Sequence, residues 1–411
     1  METLDKAGRS PIPPLPQHCG SGGIQRFIHA TKQLLLWVWH SDIEFRRSGW
    51  PAMLLAIVSV ACILLGLLPQ DVISNFSSLK NVDSVRIFYM VKDLMLSQVE
   101  SSMVGVLIWA SIGRAVFGIF IAAMDVLFYR HVTGRPYDWE SMINISLVNT
   151  FLAAAALFAV FNPAIRELLG YYDQLIAHIP TLVQLNGALA LLIAALLGDF
   201  AFYWSHRICH STRLFWNLSH IYHHRNRSLN LLTCSAEPPT MLLAAAGGLS
   251  LLILPLVTKL FTTDVHNAGW ALVVFIAFDA LTDPSHSVAL YYVEARSWPL
   301  RALRWVFVTV GVHYTHHSRD VEGKYGTGCN FGARMTLWDR LFGTYVEPPR
   351  EIPPTGLFDP AADTCINPIR YLFSPYLRMA QELRQNHPRH WPRILLGSTD
   401  YEPPVPSKLS R

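Results

Sequence analysis

Charge is what this chain has little of. Only 15% of its 411 residues are Asp, Glu, Lys or Arg, against 51% hydrophobic, where a soluble domain carries about a quarter charged residues. Mean hydropathy is positive, +0.28. That balance argues against an ordinary soluble domain or a nucleic-acid-binding surface and suits a protein that sits in a bilayer. Cysteine is sparse too: six residues, at 19, 62, 209, 234, 329 and 365, with no CxxC pair. Neither a disulfide framework nor a zinc ribbon is indicated. No GxGxxG follows a strand pattern, and no haem-attachment CxxCH or ferredoxin-type cysteine run occurs, so any electrons this chain uses must come from outside it. HExxH, the zinc hydrolase signature with its built-in general base, is absent as well.

What is present is apolar sequence in long runs. Six stretches, at 50–69, 103–124, 142–161, 180–204, 240–260 and 267–281, approach the roughly 20 residues that cross a bilayer as a helix. The last is short, and Arg114 lies near the middle of the second, where a charge has to face protein or water. The fold expected is all-α, an integral membrane bundle of about six spans. The N-terminus carries Pro and charge before any apolar run, so a cleavable signal peptide is not expected. With that end inside, one side of the membrane holds Lys6, Arg9, Arg26, Lys32, Arg46, Arg47, Arg130, Arg135, Arg207, Arg213, Arg225 and Arg227. The other holds only Lys80, Arg86, Lys92 and Arg166, with Lys259 at the end of the fifth span. By the positive-inside rule both termini face the cytoplasm. The pI near 8.7 fits basic loops facing anionic lipid.

Histidine supplies the chemistry. His206 and His210 form an HxxxH; His220, His223 and His224 form an HxxHH; His313, His316 and His317 form another. With 17 His in 411 residues, chance gives one HxxHH roughly 0.03 times per chain of this composition. Residues i, i+3 and i+4 share a helical face, so the clusters read as one two-ligand and two three-ligand faces. The span order delivers all three to the same side of the membrane. Eight imidazoles exceed one tetrahedral site and suit two metal ions. His286, on the same side, is a ninth candidate. Asp199, seven residues before His206, could accept a hydrogen bond from a ligand imidazole; Asn230, Glu237 and Asp283 are further candidates for such outer contacts.

The stretches DFAFYWSHRICH, NLSHIYHHRNRSLN, HYTHH and the following YGTGCNFG and LWDRLFGTY together resemble the fatty acid hydroxylase / sterol desaturase superfamily over about residues 180–347. The resemblance implies a membrane-bound non-haem di-iron oxygenase that uses O2 and a separate electron donor, a ferredoxin or cytochrome b5 with its reductase. It makes the eight box histidines the iron ligands, matches His286 to an extra histidine of the family, and assigns Tyr325, Gly326, Trp338, Asp339, Phe342 and Gly343 to packing after the last box. The substrate implied is a bilayer lipid: sterol, fatty acyl chain, ether lipid or carotenoid, hydroxylated or desaturated. Arg207, Arg213, Arg225, Arg227, Arg301 and Arg304 form a basic rim suited to an acidic donor or equally to lipid headgroups. Two other readings stand beside this one, a zinc-dependent membrane hydrolase and a metal transporter or histidine-rich metal sensor.

The organisation expected is a cytoplasmic segment (1–49), an accessory membrane region with an outer loop at 70–102 (50–179), the catalytic region with a cytoplasmic histidine-rich cap (180–347) and a Pro-rich end (348–411). Within that end, 368–385 should form an amphipathic helix on the membrane or on the metal domain, followed by a loose tail. Asn75-Phe-Ser matches the glycosylation triplet, usable only if the outer loop faces an ER lumen.

Overall fold

The computed structural model describes residues 102–139, 163–230, 248–263, 285–319, 328–357 and 368–406, with Met142, Ile145 and Val148. Among these residues the fold is helical, with two isolated bridges, Phe307 to Met335 and Ser318 to Thr355, and no strand. The first and sixth apolar stretches, the loop at 70–102 except Ser102, Glu237, Asp283, Tyr325 and Gly326 lie outside the described residues, as does most of the third stretch.

Helix α1 (Ser102–Thr133) runs nine residues past the predicted end of the second span. It stops where Gly134 turns left-handed at φ +69°, a conformation open to glycine. α2 (Pro163–His178) starts on a proline, whose missing N–H costs nothing in a first turn. α3 (Gly187–Ser211) is the helix among the described residues that is both long and apolar enough to cross a membrane. Its 25 residues extend about 37 Å at 1.5 Å each. Asn186 caps it, its side chain accepting the Leu189 N–H at 2.9 Å. The predicted span began at 180, but the chain up to Leu185 is spent elsewhere. The Leu182 and Leu185 N–H groups donate to the carbonyls of Leu260 and Phe261, at the end of α6 (Gly248–Leu260). α6 therefore lies antiparallel to α3. Lys259 is buried there, its Nζ donating to Thr181 Oγ1 and to the carbonyls of Thr262 and Thr263.

The histidine-bearing segments are short. After α3 come α4 (Arg213–Phe215), a π turn (Trp216–His220) and α5 (Ile221–His224). α7 (Val288–Arg296) is capped by Ser287, and α8 (Trp298–Ala302) and a 3-10 turn (Leu303–Trp305) follow. α9 (Val310–His316) carries the third box and α10 (Leu337–Leu341) follows it. Glu294 of α7 holds the start of α9. Its carboxylate accepts the Gly311 N–H at 2.8 Å and the Thr309 hydroxyl at 2.7 Å, and pairs with buried Arg304 at 2.6 Å. A Cβ at Gly311 would meet Glu294 Oε1 at 2.6 Å, so the close approach needs glycine.

The C-terminal region docks on the second box. α11 (Pro368–Gln385) supplies Tyr371 and Leu372 to a core with Ile221 and Tyr222. Arg225, buried, donates to the Tyr371 carbonyl and lies over the Tyr371 ring. The expected loose tail is instead fixed through a 3-10 turn (Pro388–His390) and α12 (Trp391–Leu396). Arg213 donates to the carbonyls of Ile394 and Tyr401 and pairs with Glu382, and the Asn386 amide bonds the Val405 backbone on both sides. Its proline content signalled a lack of regular structure, but the backbone acceptors it offers are what buried arginines need.

Candidate metal centre

The last two turns of α3 place His206 and His210 one above the other, and α5 and α9 bring the other two boxes against them. The nine histidines gather into two groups. His206, His210, His220, His224 and His316 form one; His223, His286, His313 and His317 form the other. Neither box is a single ligand face, contrary to the i, i+3, i+4 reading. The i and i+4 histidines of the second box join the first group and its i+3 residue joins the second; the third box does the reverse. Consecutive residues on a helix diverge by about 100°, so each HH pair straddles the boundary. There the His224 and His317 rings stack with centroids 4.2 Å apart.

The nitrogens converge closely. In the second group His286 Nε2 lies 3.3 Å from His223 Nε2, 3.2 Å from His317 Nε2 and 3.0 Å from His313 Nε2, and His317 to His313 is 3.0 Å. In the first group His220 Nε2 lies 3.0 Å from His206 Nε2 and 3.2 Å from His224 Nε2. Metal–nitrogen bonds of 2.0–2.1 Å put neighbouring donors about 3.0 Å apart at right angles and about 3.4 Å apart at tetrahedral angles. The observed spacings fall between those limits.

Protonation points the same way. His206 Nδ1 donates to the Phe331 carbonyl at 2.8 Å and His316 Nδ1 to the Cys329 carbonyl at 2.7 Å. A neutral imidazole has one N–H, so both Nε2 atoms present lone pairs to the group. His316 Nε2 and His210 Nε2 are buried with no hydrogen-bonding partner in the protein, a costly state for a polar atom unless a cation takes the lone pair. Burial, reinforced for the first three by neighbouring imidazoles, holds His224, His316 and His317 well below the usual imidazole range, and burial takes His220 down to about 3. At neutral pH these rings are electron-pair donors and protons do not compete for them. The donor set fits metal ions in both groups, and neutral imidazole suits iron, zinc, copper or nickel.

The first group is fully buried, whereas His223 and His313 leave the second half-open. Trp216 and Phe331 wall the first, with ring centroids 5.1 and 5.4 Å from His210.

The outer contacts differ from those expected. Asp199 does not bond an imidazole; it accepts the N–H groups of Arg334 and Met335 and the Trp338 indole N–H at 3.0, 3.3 and 3.1 Å. It ties α3 to the chain entering α10. Asn230 Nδ2 donates to the Tyr137 hydroxyl. The residue behind His206 and His316 is Asp339, which accepts from Phe331 N at 2.7 Å, Gly332 N at 2.8 Å and Thr344 Oγ1 at 2.7 Å, and so fixes the loop whose carbonyls hold both rings. Asp125 was missed altogether. From inside α1 it accepts the Ser287 hydroxyl at 2.7 Å and the Ala289 N–H at 2.9 Å, pinning the turn that presents His286. An acid one residue past a predicted span is the signal that could have found it. Of the six arginines of the predicted rim, Arg213, Arg225 and Arg304 are buried and bonded internally.

Comparison with known proteins converges on the same stretch. Residues 191–344 match the fatty acid hydroxylase family. An alkylglycerol monooxygenase of Danio rerio is 27% identical over 185 residues, 44% of this chain and 36% of that protein. The ornithine lipid hydroxylase OlsE of Rhizobium tropici is 26% identical over 166 residues, covering 40% and 44% of the two chains. The fatty acid hydroxylase vlmA of a Lecanicillium species is 25% identical over 159 residues, 38% and 42%. The match thus spans less than half the length of each of these relatives. No solved structure matches at a significant level. All nine clustered histidines lie within residues 191–344, the stretch that matches the fatty acid hydroxylase family model.

Proposed function

We propose that this chain is a membrane-embedded oxygenase that oxidises a C–H bond of a lipid using two iron ions. The observation that carries the proposal is the pair of converging all-imidazole groups inside a stretch shared with lipid hydroxylases. His206, His210, His220, His224 and His316 would hold one ion; His223, His286, His313 and His317 would hold the other. Iron bound there supplies reductive activation of O2 and hydrogen abstraction from an unactivated C–H bond.

The protein's own share is positioning. The Phe331 and Cys329 carbonyls fix which nitrogen of His206 and His316 faces the group, and Asp339 fixes those carbonyls. Trp216, Phe331 and the burial of the first group keep bulk water from its nitrogens. The half-open second group is the side on which a substrate carbon can approach. α3 offers the lipid an apolar flank at Leu189, Leu192 and Leu197, and the histidines stand at the far end of that helix. An alkyl chain lying along α3 would therefore end near them. Among the described residues neither group contains a carboxylate, the general base a hydrolytic zinc site would use. The orientation proposed is cytoplasmic for the metal centre and both termini. Electrons would come from a separate ferredoxin or cytochrome b5, meeting a rim that keeps Arg207, Arg227 and Arg301 at least partly accessible.

The test is the metal content of detergent-purified protein from iron-replete aerobic cells, read with its Mössbauer spectrum, and oxidation of a lipid extract under reductant and O2. About two coupled irons per chain, and lipid oxidation lost in His223→Ala and His316→Ala while both proteins still insert, are expected. Zinc alone, persisting after anaerobic reconstitution with ferrous iron, refutes the reading.

A further inference from the structure

A cavity of about 320 Å³ lies where α1 ends, a volume within the range of small-molecule sites. Arg135, Arg227 and Arg319 line it, from three separate places in the chain. Arg135 belongs to the turn after α1, Arg227 stands three residues past His224 and Arg319 two past His317. Two residues of chain reach at most about 7.6 Å between Cα atoms, so the backbone of Arg319 starts within that distance of His317, a member of the second histidine group.

Its floor, at Tyr129, Ser228 and Thr355, is buried, while the three arginines stand at its exposed rim. The Tyr129 and Thr355 hydroxyls both donate to the Arg227 carbonyl at 3.2 Å, and Ser228 Oγ accepts the Asp138 N–H at 3.3 Å. These bonds fix the backbone from which Arg227 projects. Asp138 is the acid among the lining residues, so three cations face one anion. Such a recess favours a compact oxyanion with several acceptor atoms, because guanidinium forks match phosphate in geometry and charge. A flat acidic protein surface would not fill it.

We propose that this cavity binds a phosphate-type oxyanion, and that the anion it takes is the phosphate of a lipid headgroup. The headgroup assignment rests on the lipid-oxygenase reading; the anion site does not. Free inorganic phosphate presents the same chemistry. With the phosphate held by Arg135, Arg227 and Arg319, the headgroup would set which carbon along the chain meets the second histidine group, as a measuring stop.

The test is calorimetric titration of the full-length, metal-loaded protein in detergent with inorganic phosphate, dihexanoyl phosphatidic acid and, as neutral control, dihexanoylglycerol. Saturable binding of the phosphorylated ligands is expected, weakened about tenfold or more in Arg135→Ala and in Arg319→Ala, with partial recovery in Arg319→Lys. Competition between the lipid and phosphate supports the headgroup assignment; phosphate binding without lipid binding supports the anion site and assigns it to the free ion. Absence of saturable binding, or binding unchanged in both alanine variants, overturns the site, as does loss of only an acidic protein partner's binding in those variants. Iron per chain is measured on every sample. Anion binding by a protein that takes no iron would sink the oxygenase reading and leave this site standing.

Discussion

The division of each HxxHH between two groups makes a prediction that a box-by-box reading cannot. His223→Ala removes a donor from the group of four, while His220→Ala removes one from the group of five, although the two residues share a box. His313→Ala, about ninety residues away in sequence, should produce the same lesion as His223→Ala. The size follows from the geometry. Four of the edges between the nitrogens of the second group are already 3.0–3.3 Å long, so removing one donor leaves three and an open vertex. Outer contacts to a metal ligand are worth about 10–100-fold in affinity; a direct donor should cost at least about 100-fold, or about 3 kcal/mol. The assay is iron per chain by mass spectrometry after passage over a chelating resin. His223→Ala, His313→Ala and their double variant should all hold about one iron, since all three lose the same ion. His220→Ala combined with His223→Ala should hold less than either alone. If His220→Ala and His223→Ala lose one and the same ion while His313→Ala loses the other, the partition drawn here is wrong.

Three further outcomes follow from the surroundings of the site. Asp125→Ala frees the Ser287 hydroxyl and Ala289 N–H, so affinity for the second ion should fall about 10–100-fold with the first ion retained; equal loss of both would refute a local role. Glu382→Ala leaves Arg213 buried without its carboxylate and should lower stability by about 3–5 kcal/mol, read as a drop in Tm of the detergent-solubilised protein, whereas a tail free of the metal domain would show no change. The metal-free protein should be acid-labile. Burial lowers the folded-state pKa of His220 to about 3 from an unfolded value near 6.5, so the unfolded chain binds the proton more readily. That contribution is intact above pH 6.5 and lost as pH falls toward 3, amounting to about 2 kcal/mol between pH 6.5 and 5. An apoprotein Tm equal at pH 7.5 and pH 5 would contradict it.

The histidines were legible because their chemistry is written in residue identity and their spacing in helical geometry. Their partition was not, since a face defined by i, i+3 and i+4 is broad enough to hide a divergence between neighbours such as His223 and His224. The acceptors that orient His206 and His316 were invisible for a different reason. They are backbone carbonyls, of Phe331 and Cys329, and any residue carries one. Asp199 was placed correctly on the helix face of His206, yet the segment at 334–338 reaches it first and satisfies its carboxylate. The span expected at 180–204 is displaced by seven residues at both ends, since α3 runs Gly187–Ser211; its start is late because Leu182 and Leu185 bond the end of α6. That Arg213 and Arg225 would turn inward depended on the docking of α11, and no local pattern announces a contact between residues 169 positions apart.

The peptide bonds joining His223 to His224 and His316 to His317 bind the two groups into one mechanical unit. A few degrees of roll in the single turn of α5 or α9 carries one ring deeper into its own group and draws the adjacent ring out of the other. The two centres therefore cannot be adjusted independently. A substitution that relaxes one is registered by its twin through a single covalent linkage, and for such a chain the unit of inheritance is the pair.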